Sequence, residues 1–166
     1  MKNLLCFPVI ILVFCFGCKK TNTSTTPSYI PINTNQSVVY DTSNLFSPIE
    51  HDSLVKTIVQ YENHTTNQAA ILTLDSIPGN MDIQYFSTKV AESWGIGTKE
   101  KNNGLLITIS KHDRKVAITT GLGTEKTISD YECKVIIERI ILPNLKTEDY
   151  YTGTKKALDS LFVLWD

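Results

Sequence analysis

Two runs rich in β-branched residues, separated by a short polar turn, are the feature that most constrains the fold of this chain. The runs are residues 105–110 and 115–120, and the turn between them is residues 111–114. Runs of this kind around a polar turn predict an antiparallel β-hairpin. In a hairpin the start of the first strand lies beside the end of the second. The loops at residues 102–104 and 121–125 should therefore meet at one end of a sheet.

Oxygen-bearing side chains are concentrated around these two loops. Asn102 and Asn103 precede the first strand, and Glu125 and Asp130 follow the second. Carboxylates, side-chain amides and backbone carbonyls are the ligands that Ca²⁺ and Mg²⁺ prefer. The pattern predicts a divalent-cation site at this end of the sheet. Helix capping is the alternative role for Asp130, because aspartate and serine are preferred at that position.

The N-terminus has the pattern of an exported lipoprotein. Lys2 and the apolar run at residues 4–16 are typical of a signal peptide, which we assign to residues 1–17. The run is shorter than the ~20 residues that a helix needs to cross a bilayer. Gly17 directly before Cys18 resembles the lipobox of bacterial lipoproteins, in which the cysteine is lipidated. We therefore expect Cys18 to carry a lipid that holds the protein on a membrane, with ordinary secretion as the alternative.

The rest of the chain divides into a tether and one domain. Residues 18–37 are mostly threonine, serine, asparagine and proline, which is typical of a flexible tether. Residues 38–166 are numerous enough to form a single domain with its own core. Cys133 is the one cysteine in this range, so no disulfide can form within the domain. The net charge is −1 with both signs mixed along the chain, which argues against nucleic acid as a partner.

Helical and strand patterns alternate through the first part of the domain. Residues 47–50 have the sequence of a capping box with proline at the first helical position, and they predict a helix start. This helix should end within residues 63–67. Residues 69–74 predict a buried strand. A second helix follows a turn and should end at Gly95.

Two more helices are predicted after the hairpin. One has apolar residues at helical spacing from Cys133 to Ile141 and should end at Pro143, because proline interrupts helical hydrogen bonding. The other begins near Asp149 and buries one apolar face. This order of helices and strands predicts an α/β fold, specifically a three-layer α/β/α sandwich with a mixed central sheet.

Four short motifs follow one another along the domain. They are Val39-Tyr40-Asp41, Trp94-Gly95-Ile96-Gly97, Asn103-Gly104-Leu105-Leu106, and Gly121-Leu122-Gly123-Thr124-Glu125 with Asp130 soon after. Together they resemble the TPM domain family over residues 38–165. That family includes plant thylakoid-lumen proteins of photosystem II repair and many bacterial secreted or membrane-anchored proteins.

The resemblance implies an α/β/α sandwich with an acidic divalent-cation site at one end of its sheet. Asp41, Glu125 and Asp130 would correspond to its acidic positions, and Asn103 to its asparagine. Asn102 stands where the family commonly has aspartate, which removes one carboxylate and lowers the expected affinity for Ca²⁺ or Mg²⁺. A turn is the alternative role for Asp41.

Two functions follow as hypotheses. The first is a non-catalytic, lipid-anchored module that binds Ca²⁺ or Mg²⁺ on the periplasmic side of the bacterial cell envelope. It would assist the assembly or maintenance of a membrane-protein partner, with ion binding ordering the loops that the partner contacts. The alternative is a metal-dependent acid phosphatase, an activity proposed for plant members of the family. Its cation would polarise the phosphoryl oxygens while Glu125 or Asp130 positions water.

Cys133 and Arg139 have the spacing of the cysteine-phosphatase signature. That chemistry requires a glycine-rich loop whose amides hold phosphate, and a thiolate of lowered pKa. Residues 134–138 contain no glycine and continue a helical apolar pattern. We therefore interpret Cys133 as a buried structural cysteine.

Overall fold

A four-stranded mixed sheet forms the centre of the computed structural model, which describes residues 27–166. The strands lie in the order β1-β2-β3-β4. β1, β2 and β3 are parallel, and β4 is antiparallel to β3, so the predicted hairpin is confirmed. Their bounds are β1 Val39–Asp41, β2 Gln68–Leu74, β3 Gly104–Ser110 and β4 Lys115–Thr120.

Five α-helices and three shorter helical segments are found in the described part of the chain. The α-helices are α1 Pro48–Thr65, α2 Ile83–Trp94, α3 Asp130–Ile136, α4 Leu142–Lys146 and α5 Tyr150–Trp165. A π-helical segment, Ile137–Ile141, joins α3 to α4. Single 3₁₀ turns occur at Pro78–Asn80 and Thr124–Lys126.

The predicted capping of α1 is confirmed. The Ser47 hydroxyl accepts the Glu50 N–H, and a Glu50 carboxylate oxygen accepts the Ser47 N–H at 2.8 Å. These bonds satisfy two backbone donors that a helix start leaves without partners. At the end of α2, Gly95 adopts the left-handed conformation that closes many helices.

Helices cover both faces of the sheet, which confirms the three-layer sandwich. α1 and α5 pack on one face, and α2 packs on the other. The chain crosses the sheet in one direction, from β1 through α1 to β2 and then through α2 to β3. Since α1 and α2 lie on opposite faces, the β1-α1-β2 and β2-α2-β3 crossovers have opposite hands. The first core includes Val39, Ile71, Leu105 and Ile107 with Leu54, Ile58 and Leu158, and the second includes Ala70, Leu72 and Leu106 with Phe86 and Val90.

β1 is a strand that the sequence patterns do not predict. It spans only Val39–Asp41, which is too short to display an alternation of apolar and polar residues. Its strand geometry comes from pairing, with Val39 opposite Ile71. Val39 is also buried in the first core, so tertiary contacts hold a segment that local pattern leaves unassigned.

The helix after the hairpin continues past Pro143, so the prediction that it ends there is wrong. Pro143 lies in the first turn of α4. A proline inside a regular α-helix removes one backbone hydrogen bond and clashes with the carbonyl four residues earlier. In the π-helical segment the Leu142 N–H reaches back to the Ile137 carbonyl. This wider turn precedes the proline and lets the helical path continue.

Part of the predicted tether lies against the domain. Ile30 is 5 % exposed and belongs to the second core. The Trp94 indole N–H donates to the Pro31 carbonyl at 2.8 Å, and the Tyr40 hydroxyl donates to the Ile32 carbonyl at 3.1 Å. The packed chain therefore begins before residue 38.

The predicted signal peptide at residues 1–17, the predicted lipid site at Cys18 and the tether up to residue 26 lie outside the described residues. Between residues 27 and 166, every helix is too short or too polar to cross a bilayer.

Replacing Ile30 with alanine should destabilise the protein, because it removes buried apolar contacts from the second core. We expect Ile30→Ala to lower the free energy of unfolding by about 2–5 kcal/mol, measured by urea denaturation. Ile32→Ala is the matched control, because Ile32 is 73 % exposed in the same segment. It should change stability by no more than about 0.5 kcal/mol. Equal effects of the two variants would contradict the packing described for this segment.

Candidate functional site

The loops before β3 and after β4 meet at one end of the sheet, as the hairpin predicted. The Gly121 N–H donates to the Gly104 carbonyl at 2.9 Å. The Gly123 N–H donates to the Asn102 carbonyl at 3.0 Å. We call residues 95–104 and 121–130 together the loop junction.

Glycine allows the backbones of the loop junction to touch. A Cβ added to Gly104 would overlap the carbonyl oxygen of Ile96, and one added to Gly123 would overlap the carbonyl oxygen of Lys101. Both obstacles are backbone atoms, which a side-chain rotation cannot move. These glycines are therefore required by close packing of the loops.

Asn103 fixes the loop junction to the end of α1. It is 4 % exposed, and its side-chain oxygen accepts the Thr98 N–H at 3.0 Å. Its side-chain N–H groups donate to the Thr66 carbonyl at 2.8 Å and to the Asn67 side-chain oxygen at 3.2 Å. The Thr98 hydroxyl also lies 3.4 Å from the Asn103 oxygen. Protein groups thus occupy the bonding capacity of this amide, and it serves as a structural clamp.

Three of the predicted ligands lie exposed on the loop junction. Glu125 lies in a 3₁₀ turn, Asp130 begins α3, and Asn102 has a positive φ of 49° just before β3. All three residues are exposed, and within residues 27–166 none of their side chains makes a hydrogen bond. Ser129, and not Asp130, caps α3, because the Ser129 hydroxyl accepts the Glu132 N–H. The oxygens of these three side chains therefore remain available to an ion.

Asp41 lies at the opposite end of the sheet. It pairs with Thr73 near the end of β2, whereas Gly104 pairs with Gln68 at the start of that strand. Parallel strands rise about 3.3 Å per residue, so the two ends are separated by roughly 16 Å along β2. This corrects the prediction that Asp41 shares one site with the other four residues.

The Asp41 carboxylate organises the loop before α1. One oxygen accepts the Leu45 N–H at 3.0 Å and the Thr73 hydroxyl, and the other accepts the Phe46 N–H at 2.9 Å. Such bonding to nearby backbone groups is how aspartate stabilises turns. Asp41 thus has the turn role that the sequence left open as its alternative.

The Cys133 thiol is unsuited to nucleophilic chemistry. Cys133 is 6 % exposed on the inner side of α3. Burial raises its pKa to about 11, and the negative charges of Asp130, Glu132 and Glu125 add to that rise. A nucleophilic cysteine requires a lowered pKa. The position and the pKa both agree with a structural cysteine.

The loop junction shows no enclosed metal site within residues 27–166. In the described part of the chain, no three histidine, cysteine, aspartate or glutamate side chains are close enough to hold a metal together. Glu125, Asp130 and Asn102 would supply two carboxylates and one amide, leaving the other positions to water or backbone carbonyls. Ca²⁺ accepts six to eight oxygen ligands in flexible geometry, so such a partial set corresponds to weak binding.

Sequence reasoning did not find a cavity of about 550 Å³ beside the start of β2. Its walls are residues 31–33 and 36–38, Glu62, residues 68–70 and residues 93–96. Neither Glu125 nor Asp130 lines it, and it has no lysine or arginine in its wall. The signal that could have revealed it is Trp94, a large aromatic residue directly before the helix-ending Gly95.

Removing the Asn103 side chain should weaken the loop junction. Asn103→Ala leaves the Thr98 N–H and the Thr66 carbonyl without partners, so we expect a loss of about 2–4 kcal/mol in the free energy of unfolding. Asn102→Gly is the control, because glycine adopts positive φ and the Asn102 side chain makes no hydrogen bond with the described residues. It should stay within about 0.5 kcal/mol of the parent protein in urea denaturation. A stable Asn103→Ala protein would refute the clamp.

Comparison with known proteins supports this architecture. The family model described as "TPM domain" matches residues 39–163. A solution NMR structure of the N-terminal domain of a protein from P. gingivalis is similar with 26 % identity and a TM-score of 0.71. The match covers 78 % of this chain and 82 % of that one. No curated protein matches the chain.

Two more solved structures share the fold. The N-terminal domain of the cg2496 protein from Corynebacterium glutamicum has 15 % identity and a TM-score of 0.62, with 84 % of this chain and 88 % of that one covered. The BA42 protein from the psychrophilic bacterium Bizionia argentinensis has 16 % identity and a TM-score of 0.63, with coverage of 75 % and 88 %. The extent of the family match, together with the four motifs and the sandwich, establishes that this chain belongs to the TPM domain family.

Proposed function

We propose that this protein is a non-catalytic TPM-domain module of the bacterial cell envelope. A lipid on Cys18 holds it on the periplasmic side of a membrane. Glu125 and Asp130, with Asn102, bind Ca²⁺ or Mg²⁺ at the loop junction. The module assists the assembly or maintenance of a membrane-protein partner.

The availability of the Glu125 and Asp130 carboxylates is the observation that carries the proposal. Both are exposed, and no donor within residues 27–166 occupies their oxygens. Asp41 and Asn103, by contrast, are fully engaged in turns and loops. An ion held by two carboxylates on an open surface should bind with a Kd of about 1 mM, in the range of extracellular calcium modules.

The loops that carry the proposed site are already held together by protein contacts, which favours a binding function. Asn103 and the close-packed glycines hold the two loops together before any ion binds. A cation that bridges Glu125 and Asp130 would neutralise two negative charges on this surface. The change in surface charge is then the signal that a partner protein reads.

The alternative, a metal-dependent acid phosphatase, has less support. A phosphomonoesterase needs groups that hold the phosphate and stabilise its charge, typically a metal ion with lysine or arginine side chains. Glu125 and Asp130 lie outside the wall of the cavity beside β2, and no lysine or arginine lines that cavity. The Cys133 thiol, with its raised pKa, supplies no nucleophile.

Removing both carboxylates should greatly weaken ion binding and leave the fold intact. We expect Glu125→Gln together with Asp130→Asn to weaken Ca²⁺ binding by about tenfold or more, because carboxylates provide most of the attraction for the ion. The measurement is a Ca²⁺ titration followed by amide NMR shifts. In the parent protein the saturable shifts should fall at residues 102–104 and 121–130.

The control for this experiment removes the same charge elsewhere. Asp75→Asn together with Glu148→Gln neutralises two exposed carboxylates outside the loop junction. This variant should bind Ca²⁺ with the affinity of the parent protein. Parent-like binding by the loop-junction variant, or equal weakening in both, would refute the site.

Lipid attachment can be tested separately from ion binding. Cys18→Ser should prevent incorporation of a labelled fatty acid and move the protein from the membrane fraction to the soluble periplasmic fraction, because the acyl chains provide the membrane affinity. Cys6→Ser, inside the predicted signal peptide but outside the lipobox-like residues 15–18, should leave both labelling and membrane association unchanged. A Cys18→Ser protein that stays labelled would show that the lipid site is elsewhere.

A further inference from the structure

One edge of β2 is left uncovered where the strand begins. β1 pairs only with residues Ile71, Leu72 and Thr73, so the first part of β2 extends beyond its neighbour. The chain before β1 turns away from the sheet at residues 33–37. The Asn33 side chain holds that turn by accepting the Ser37 N–H and donating to the Ser37 carbonyl, each at 2.9 Å.

The main-chain groups of Ala69 point to this uncovered edge. Backbone groups alternate in direction along a strand. The Gln68 N–H donates towards β3, to the Asn103 carbonyl at 2.9 Å, whereas the Ile71 N–H donates to the Val38 carbonyl on the β1 side at 2.8 Å. Ala69 therefore directs its N–H and carbonyl to the β1 side. Neither group has a hydrogen-bond partner among residues 27–166.

These unpaired groups adjoin the cavity of about 550 Å³ described above. Its size lies within the range of known ligand sites. The Trp94 ring and the turn before β1 form its sides. A buried amide or carbonyl without a hydrogen-bond partner costs free energy. A ligand that supplies both a donor and an acceptor would remove this cost at Ala69.

Glu62 gives the cavity a negative charge. It is the one charged residue in the wall. The Gln68 side-chain N–H donates to one Glu62 carboxylate oxygen at 3.0 Å, and the Gln68 oxygen accepts the Gly97 N–H at 2.7 Å. Gln68 thus holds Glu62 in place, and the second carboxylate oxygen has no partner within the described chain. A positively charged group on the ligand would complement it.

We propose that the cavity binds an extended peptide segment of a partner protein. The segment adds to the edge of β2 in line with β1 and exchanges backbone hydrogen bonds with Ala69. A lysine or arginine of the segment pairs with Glu62, and a neighbouring side chain packs on Trp94. Strand addition of this kind obtains affinity from main-chain bonds and specificity from side-chain contacts. The proposed site is independent of the cation site at the loop junction.

The state of the edge can be measured without any ligand. In the full chain the Ala69 amide should exchange with solvent deuterium much faster than the Ile71 amide, which is bonded to Val38. Exchange at Ala69 as slow as at Ile71 would mean that the edge is already paired, and would overturn the proposal.

Binding is tested with a synthetic hexapeptide library that has one fixed lysine and five randomised positions. We expect saturable NMR shifts at Ala69, Ala70 and the Trp94 indole, and slower exchange at Ala69. Peptides selected from the library should lose binding when N-methylated at the pairing position, because methylation removes the main-chain donor. No saturable shift with the library, or full binding after methylation, would overturn strand addition.

Variants of the wall test the charge preference. Glu62→Gln should weaken binding of a selected peptide about threefold to fivefold, as expected for a partly exposed ion pair. Ser93→Lys places a cation on the exposed rim of the cavity and should weaken binding further. Glu138→Gln, on an exposed helical surface outside the wall, is the control and should bind as the parent protein does. A library with fixed glutamate that binds as tightly as the lysine library would refute the role of Glu62.

Discussion

Direct contact between backbones at the loop junction is the constraint on which the rest of the structure depends. β3 begins at Gly104, and this glycine touches the carbonyl of Ile96. Asn103 then ties the same point to the end of α1 through Thr66. Because β3 lies between β2 and β4, fixing its first residue positions β3 against both neighbours. The loop that carries Glu125 is positioned by the same contacts.

The strand directions separate two groups of polar residues that look alike in the sequence. Since β1 and β2 are parallel, Asp41 falls at the end of β2, whereas Asn103 falls at its start. Each is used to hold a loop, Asp41 before α1 and Asn103 before β3. Glu125 and Asp130, in contrast, are exposed, and their side chains make no hydrogen bond within residues 27–166. Motif membership alone therefore does not distinguish a residue that holds a loop from one whose side chain is left exposed.

Because β1 is short, the first residues of β2 have no neighbouring strand on the β1 side. A longer first strand would cover Ala69, but the turn held by Asn33 directs the chain outwards, across Trp94. Tyr29 and Ile30, which precede this turn, pack in the second core. One local turn thus determines both the packing of the N-terminal segment and the opening of the cavity beside β2.

The sequence by itself determined those features that repeat locally. The capping residues of α1, the turn of the hairpin and the helix-ending Gly95 each depend on contacts within a few residues, so their patterns predict them correctly. The family motifs likewise identify the sandwich. The exposed ligands Glu125 and Asp130 were also named from the sequence, although their role as ligands stays a prediction.

The tertiary structure alone decided the features that depend on distant contacts. β1 exists through its pairing with β2, and the helix passes Pro143 because a π-helical segment widens the turn before it. The separation of Asp41 from the loop junction follows from strand direction, and the cavity follows from an edge that no local pattern reveals. The physical reason is the same in each case: hydrogen bonding and packing between segments far apart in the chain override or complete what local propensity specifies.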